Sequence, residues 1–195
     1  MSLRFAKQGY LAVCPEYYFR QGKLEGMTDF QTQIAPIVGR KPDAELSSDL
    51  DATAAWAATD GGNAARLGVT GFCRGGRNVI VYAAHNPNLK AAVAWYGTGL
   101  LAQNEFFTVK AMDAAAAAKC PLLGLYAGID PGMSAEQVKL LEAALAKSGQ
   151  KAEVVVYPNA KHGFFSDYRD TYSAEASADA WPRCLAWFKA NGVGV

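Results

Sequence analysis

The sequence predicts an α/β fold, a mostly parallel sheet of about five strands flanked by helices. Three observations carry this expectation. Short, almost uninterrupted apolar runs recur along the chain, the pattern of strands covered on both faces. Capped segments of helical length separate them. The connections between runs are long enough for crossover helices. At 195 residues, with 51% apolar and 19% charged content, the chain reads as one globular domain over residues 1–195 with material for a sizeable core.

In chain order, the expected strands are Tyr10–Cys14 (YLAVC), Arg66–Gly71 (RLGVTG), Ala91–Tyr96 (AAVAWY), Pro121–Gly128 (PLLGLYAG) and Ala152–Pro158 (AEVVVYP). The first expected helix, SSDLDATAAWAATDGG, has serines to cap its start and Gly61-Gly62 to stop it. The second, GGRNVIVYAAHNP, ends before Pro87. DAAAAAK reads as a short helix rather than a low-complexity tail. In SAEQVKLLEAALAKSG, Ser134 and Gln137 form a capping-box pattern, with Gly149 just past the end. The last helix, SAEASADAWPRCLAWFKANG, places Ala178, Trp181, Leu185 and Phe188 on one face, and Pro182 should kink it. Two long excursions, about Phe19–Leu46 and Gly97–Lys119, are candidate loops over a site.

Composition narrows the function classes. The formal net charge is +1 and no basic run stands out, so neither nucleic acid nor an anionic membrane surface is expected as a partner. No apolar stretch approaches the roughly 20 residues of a membrane span, and the apolar part of the first residues is short for a secretory signal. Cys14, Cys73, Cys120 and Cys184 are widely spaced with no C-x-x-C pair. That pattern predicts reduced thiols and a cytoplasmic protein rather than a disulfide framework or a zinc site.

Ligand sites in open α/β sheets lie at the carboxyl ends of the strands, and three of those ends carry reactive residues. Cys73 follows the second expected strand, Asp130 the fourth, and His162 the fifth. Nucleophile, acid, histidine is the chain order of an α/β-hydrolase triad. Gly71-Phe72-Cys73-Arg74-Gly75 fits the G-x-nucleophile-x-G elbow, with cysteine in the serine position. A sharp strand-to-helix turn crowds its neighbours, which explains glycines on either side, and strains the nucleophile itself. The turn sets the sulfur at the positive end of a helix, which favours thiolate. The Arg74 backbone N–H would face a developing oxyanion. His162 would take the thiol proton and Asp130 would orient the ring. Each residue also has a bland reading: a buried thiol at a tight turn, a loop aspartate, a turn histidine. His85, beside Asn86-Pro87, reads as structural, and Cys14, Cys120 and Cys184 read as inert core thiols.

With these residues in place the chain resembles the dienelactone hydrolase family of α/β-hydrolases. The segments that carry the resemblance are GYLAVCPEYYFRQG, GVTGFCRGGR, AAHNPNLKAAVAWYG, GLYAGID and VVYPNAKHGFFSDYR, spread over almost the whole chain. The resemblance implies an α/β-hydrolase-like fold and hydrolysis of a small-molecule cyclic ester without metal or cofactor. It makes Cys73 the nucleophile, Asp130 the acid and His162 the base. It also makes Arg20, otherwise a solvated loop charge, the arginine that holds a substrate carboxylate. The family's second arginine, four residues after the histidine, is replaced by Ser166; Arg169 lies nearby and could substitute. A small ester or lactone other than dienelactone is therefore an equal expectation.

The resemblance further implies that strands and a loop bearing a glutamate and a second oxyanion donor precede Met1, so the chain reads as N-terminally shortened. The open sheet position should then be closed by direct pairing of Tyr10–Cys14 with Arg66–Val69. Alternatives are exchange of a strand with a second copy, making self-association an option, or departure of Tyr10–Cys14 from the sheet. The expected function is an ester or lactone hydrolase acting through an acyl-enzyme. One rival is a catalytically inactive module of the same fold that binds a small ligand or partner. Another is a flavodoxin-like phosphate binder, which leaves Asp130 and His162 without a role.

Overall fold

The computed structural model describes residues 1–194. Four parallel strands form one sheet in sequential order: β1 (Gly68–Phe72), β2 (Ala91–Trp95), β3 (Leu122–Ile129) and β4 (Ala152–Lys161). Its helices are α1 (Ser2–Ala6), α2 (Ala35–Val38), α3 (Asp43–Thr59), α4 (Arg74–His85), α5 (Ala111–Ala116), α6 (Ala135–Lys147) and α7 (Ala174–Ala190). Side chains alternate across the two central strands, as the period of a strand requires. Ala92, Ala94, Leu122 and Tyr126 join the core beneath α4, α5 and α6. Ala91, Val93, Trp95, Leu123, Leu125 and Ala127 join the opposite core, with Phe5 and the buried side of α7. Both faces are thus covered, which is why these strands read as continuous apolar runs.

The expected fifth strand is not formed. Tyr10–Cys14 makes no ladder with β1, and among the described residues nothing pairs with the outer edge of β1. The apolar character of this segment is used elsewhere: Tyr10 packs edge-on to Phe5 and against Phe188, and its hydroxyl lies 3.5 Å from the Val193 carbonyl. Every residue of β1 is only partly buried.

Three local expectations are also revised. The long helix α3 starts at Asp43, after Pro42, rather than at the serines, and Ser47 is buried inside it. Its stop at Asp60-Gly61-Gly62 is as expected, with the Gly62 N–H donating to the Ala57 carbonyl at 2.8 Å. In α7 the buried stripe is Ala176, Ala180, Cys184 and Phe188 rather than one that includes Ala178, which is exposed. Small residues at this spacing let the helix approach the sheet closely. Cys14 is exposed, not a core thiol. The capping box of α6 is complete, with Ser134 and Gln137 each accepting the other's backbone N–H.

Candidate active site

All four strands end at one edge of the sheet, and each delivers a residue to the same place. Cys73 follows β1, at φ 55° and ψ −120°. A non-glycine residue in this region costs on the order of 1–3 kcal/mol and persists only where its surroundings enforce it. Here the Cys73 N–H donates to the Trp95 carbonyl at 3.0 Å, and the Cys73 carbonyl accepts the Gly76 N–H at 2.9 Å. Two glycines make the turn sterically feasible. A Cβ on Gly71 would stand 2.5 Å from the Gly75 carbonyl oxygen, and one on Gly76 would stand 2.6 Å from the Trp95 carbonyl oxygen. Gly75, expected to be needed for the same reason, has open space where its Cβ would be. The essential partner of Gly71 is therefore Gly76, where α4 is pressed onto the end of β2.

Asp130 follows β3 and His162 follows β4. His162 Nε2 lies 3.1 Å from Cys73 Sγ, and His162 Nδ1 lies 2.7 Å from Asp130 Oδ2. The Asp130 side chain is almost wholly buried, and its other oxygen accepts the Gly132 N–H at 2.9 Å. With Nδ1–H donated to Asp130, Nε2 is left to exchange a proton with the sulfur.

The electrostatics favour charge separation. The His162 ring is raised to about 9, by its hydrogen bonds to Asp130 and then Cys73, against the effect of burial. For Cys73, burial pushes the thiol up, but the hydrogen bond and charge of His162, the Arg74 backbone N–H and the charge of Arg169 outweigh it and bring the thiol below its usual 9.0. Cys120, with burial alone acting on it, is pushed up to about 12, and burial likewise raises Cys184. Of Cys73, Cys120 and Cys184, Cys73 alone has neighbours that favour the thiolate. Among the described residues no cluster of three or more His, Cys, Asp or Glu could hold a metal ion.

The model of the dienelactone hydrolase family matches residues 1–192.

The chain belongs to the dienelactone hydrolase family.

This is a family of hydrolases that act on small substrates. A protein of Yersinia pestis named "Putative carboxymethylenebutenolidase" is 45% identical over 192 residues, spanning 98% of this chain and 72% of that protein. One of the same name from Escherichia coli K12 is 46% identical, spanning 97% and 70%. A crystal structure described as a putative dienelactone hydrolase from Klebsiella pneumoniae superposes with a TM-score of 0.91 at 46% identity, covering 95% of this chain and 78% of that one.

The two arginines implied as substrate anchors by the family resemblance are placed differently. Arg20 is paired with carboxylates. Its guanidinium is already held by Glu45 at 2.8 Å and Asp49 at 2.7 Å, within an ion cluster that includes buried Lys41. Arg169 is exposed beside the turn after His162, with its charge felt by Cys73. His85 is apart from the site, 2.7 Å from Asp51.

One neighbour of the family triad positions was missed. Tyr96, the residue after β2, has φ 36° and turns its ring edge-on to His162, with centroids 5.2 Å apart. The sequence reading kept it as the last residue of a strand. The available signal was its position: an expected strand end without an assigned residue, on the strand between those that carry Cys73 and Asp130.

No helix among the described residues is long and apolar enough to cross a membrane.

Proposed function

We propose that this protein hydrolyses small ester or lactone substrates with Cys73 as nucleophile, His162 as general base and acid, and Asp130 as the residue that orients His162. The observation that carries this reading is the unbroken relay from Asp130 through His162 to Cys73, at 2.7 and 3.1 Å.

In the first half-reaction the Cys73 thiolate attacks the ester carbonyl carbon. The carbonyl π electrons move to oxygen, and the oxyanion is met by the Arg74 N–H. As the intermediate collapses, the C–O bond to the alcohol breaks, and His162 Nε2–H protonates the departing oxygen. The product is a thioester on Cys73. In the second half, His162 takes a proton from water, the resulting hydroxide attacks the thioester, and the C–S bond breaks. The acid is released and Cys73 returns to its resting state. In a lactone the alcohol stays tethered to the acyl group, so the first half opens the ring.

The relatives' printed names support a lactone substrate, since a butenolide is an unsaturated cyclic ester. We place the activity in the cytoplasm, because the free thiolate it requires persists in a reducing compartment.

The test is hydrolysis of a p-nitrophenyl ester and a butenolide. Wild type should turn both over, and Cys73→Ala should lower kcat by about 10⁴-fold or more, while Cys120→Ala retains activity. Full activity in Cys73→Ala would overturn the nucleophile assignment. No turnover by wild type under conditions where Cys73 is alkylated rapidly would favour a binding module of the same fold.

A further inference from the structure

The reaction proposed above uses the backbone of Arg74 and leaves its side chain without a role. That side chain is half-buried, and its guanidinium carbon stands 3.6 Å from the centroid of the Phe107 ring. Arg4, Arg20, Arg77 and Arg183 each hold a carboxylate. Among the described residues, the Arg74 guanidinium has neither an ion-pair nor a hydrogen-bond partner. Asp43 acts on it through space, but its carboxylate is taken by Arg77 at 2.5 and 3.0 Å and by the Val109 N–H at 3.0 Å.

The platform beneath Arg74 is fixed. The Phe107 N–H donates to the Asn104 side chain at 2.8 Å, and its carbonyl accepts the Asn104 N–H at 3.1 Å. Burial and the neighbouring Arg77 charge act against the cation, so an arriving anion would relieve a cost already present. Tyr18 belongs to the same region: burial raises its hydroxyl above the usual 10, the Arg74 charge opposes this, and the Cys73 charge adds to it.

We propose that Arg74 is the specificity-determining residue of this site, its guanidinium receiving a carboxylate or similar oxyanion carried by the ester substrate. The proposal rests on the hydrolase reading and adds the residue that selects among esters. A guanidinium stacked on an aromatic face is held in plane, with its forked donors presented to two oxygens at once. Arg20 is unsuited to this task because Glu45 and Asp49 already occupy it. Arg169 is exposed and would have to be ordered by the substrate first.

Two measurements on the whole chain test this. The first is the ratio of kcat/KM for an ester bearing a free carboxylate to that for its neutral methyl-capped analogue. Wild type should favour the anionic ester. Arg74→Met should lower the ratio roughly 10- to 100-fold, Arg74→Lys should restore part of it, and Arg20→Met should leave it unchanged. The ratio cancels any common effect on the oxyanion donor. The second needs no turnover: the rate at which Cys73 is alkylated by iodoacetate relative to iodoacetamide, in a Cys14→Ser background. Arg74→Met should lower that ratio too, with Arg74→Lys again intermediate. If wild type hydrolyses no ester but the alkylation ratio falls in Arg74→Met, the hydrolase reading fails and the anion-receiving role of Arg74 stands. If neither ratio changes in Arg74→Met or Arg74→Lys, or if the change follows Arg20→Met instead, the proposal is overturned.

Discussion

Ile129 pairs with Lys161, although two residues earlier Ala127 pairs with Tyr157, so β4 carries two more residues than β3 across this step. An unshifted register would set Ala160 opposite Asp130; the shift brings His162 there instead, with its Nδ1 2.7 Å from Asp130 Oδ2. Pro158 lies within the step, on an edge strand where a missing N–H is tolerated. In the proposed mechanism the relay needs the charge of the carboxylate at 130 and not merely its shape. Asp130→Asn should lower kcat by about 10³–10⁴-fold while the fold is retained. Steady-state kinetics beside a circular dichroism spectrum would check this, and a fall of less than tenfold would remove the orienting role.

The titration of the pair has a definite sign. His162 is raised to about 9 and Cys73 is lowered from 9.0, so both shifts favour the thiolate–imidazolium form. In a Cys14→Ser background, the iodoacetamide rate at Cys73 should persist to lower pH than that of a free thiol. A free thiol, titrating near 8.5, would by contrast lose almost tenfold per unit below its pKa. His162→Asn should restore that ordinary slope. A wild-type rate that already drops tenfold per unit below pH 9 would mean the resting sulfur is protonated.

The elbow makes a paired prediction about stability. Gly76→Ala forces a Cβ to within 2.6 Å of the Trp95 carbonyl oxygen and 2.9 Å of Gly97 Cα, both backbone atoms that cannot swing aside. It should cost about 1–3 kcal/mol. Gly75→Ala meets open space and sits in the first turn of α4, so its effect on stability should be within about 1 kcal/mol, and favourable if anything. Urea unfolding of both variants checks the contrast; equal losses would show that the Gly76 contact relaxes freely.

Arg77 and Asp43 form a bidentate pair with both side chains almost fully buried, and the same carboxylate holds the Val109 N–H. Asp43→Ala leaves the Val109 N–H without its acceptor and the buried Arg77 guanidinium without its counter-charge, with the Val109 carbonyl at 2.7 Å still accepting from it. It should destabilise the protein by about 3–5 kcal/mol, measured by urea unfolding. The excursion that carries Phe107 should loosen as well, seen as faster hydrogen exchange over residues 104–109. A loss below about 1 kcal/mol would show that the pair is not a structural anchor.

Much of this molecule was legible in its sequence, because the relevant signals are local. The apolar runs expected as strands at Arg66–Gly71, Ala91–Tyr96, Pro121–Gly128 and Ala152–Pro158 became the four parallel strands Gly68–Phe72, Ala91–Trp95, Leu122–Ile129 and Ala152–Lys161. Ser134 and Gln137 did close a capping box. The order of Cys73, Asp130 and His162 after successive strands pointed to one site, since parallel strands end at a common edge, and the structure brings the three into one relay. What the sequence could not carry depends on contacts between distant segments. Tyr10–Cys14 has the composition of a strand, yet it joins no ladder, and Tyr10 packs instead on Phe5 and Phe188, residues far apart in the chain. Arg20 and Arg74 are both arginines near aromatic residues; only the folded chain shows that Glu45 and Asp49 take the first and that Phe107 supports the second. Local composition determines which elements can form. Which charges are neutralised, and which remain to meet a substrate, is decided by residues that the fold brings together from far along the chain.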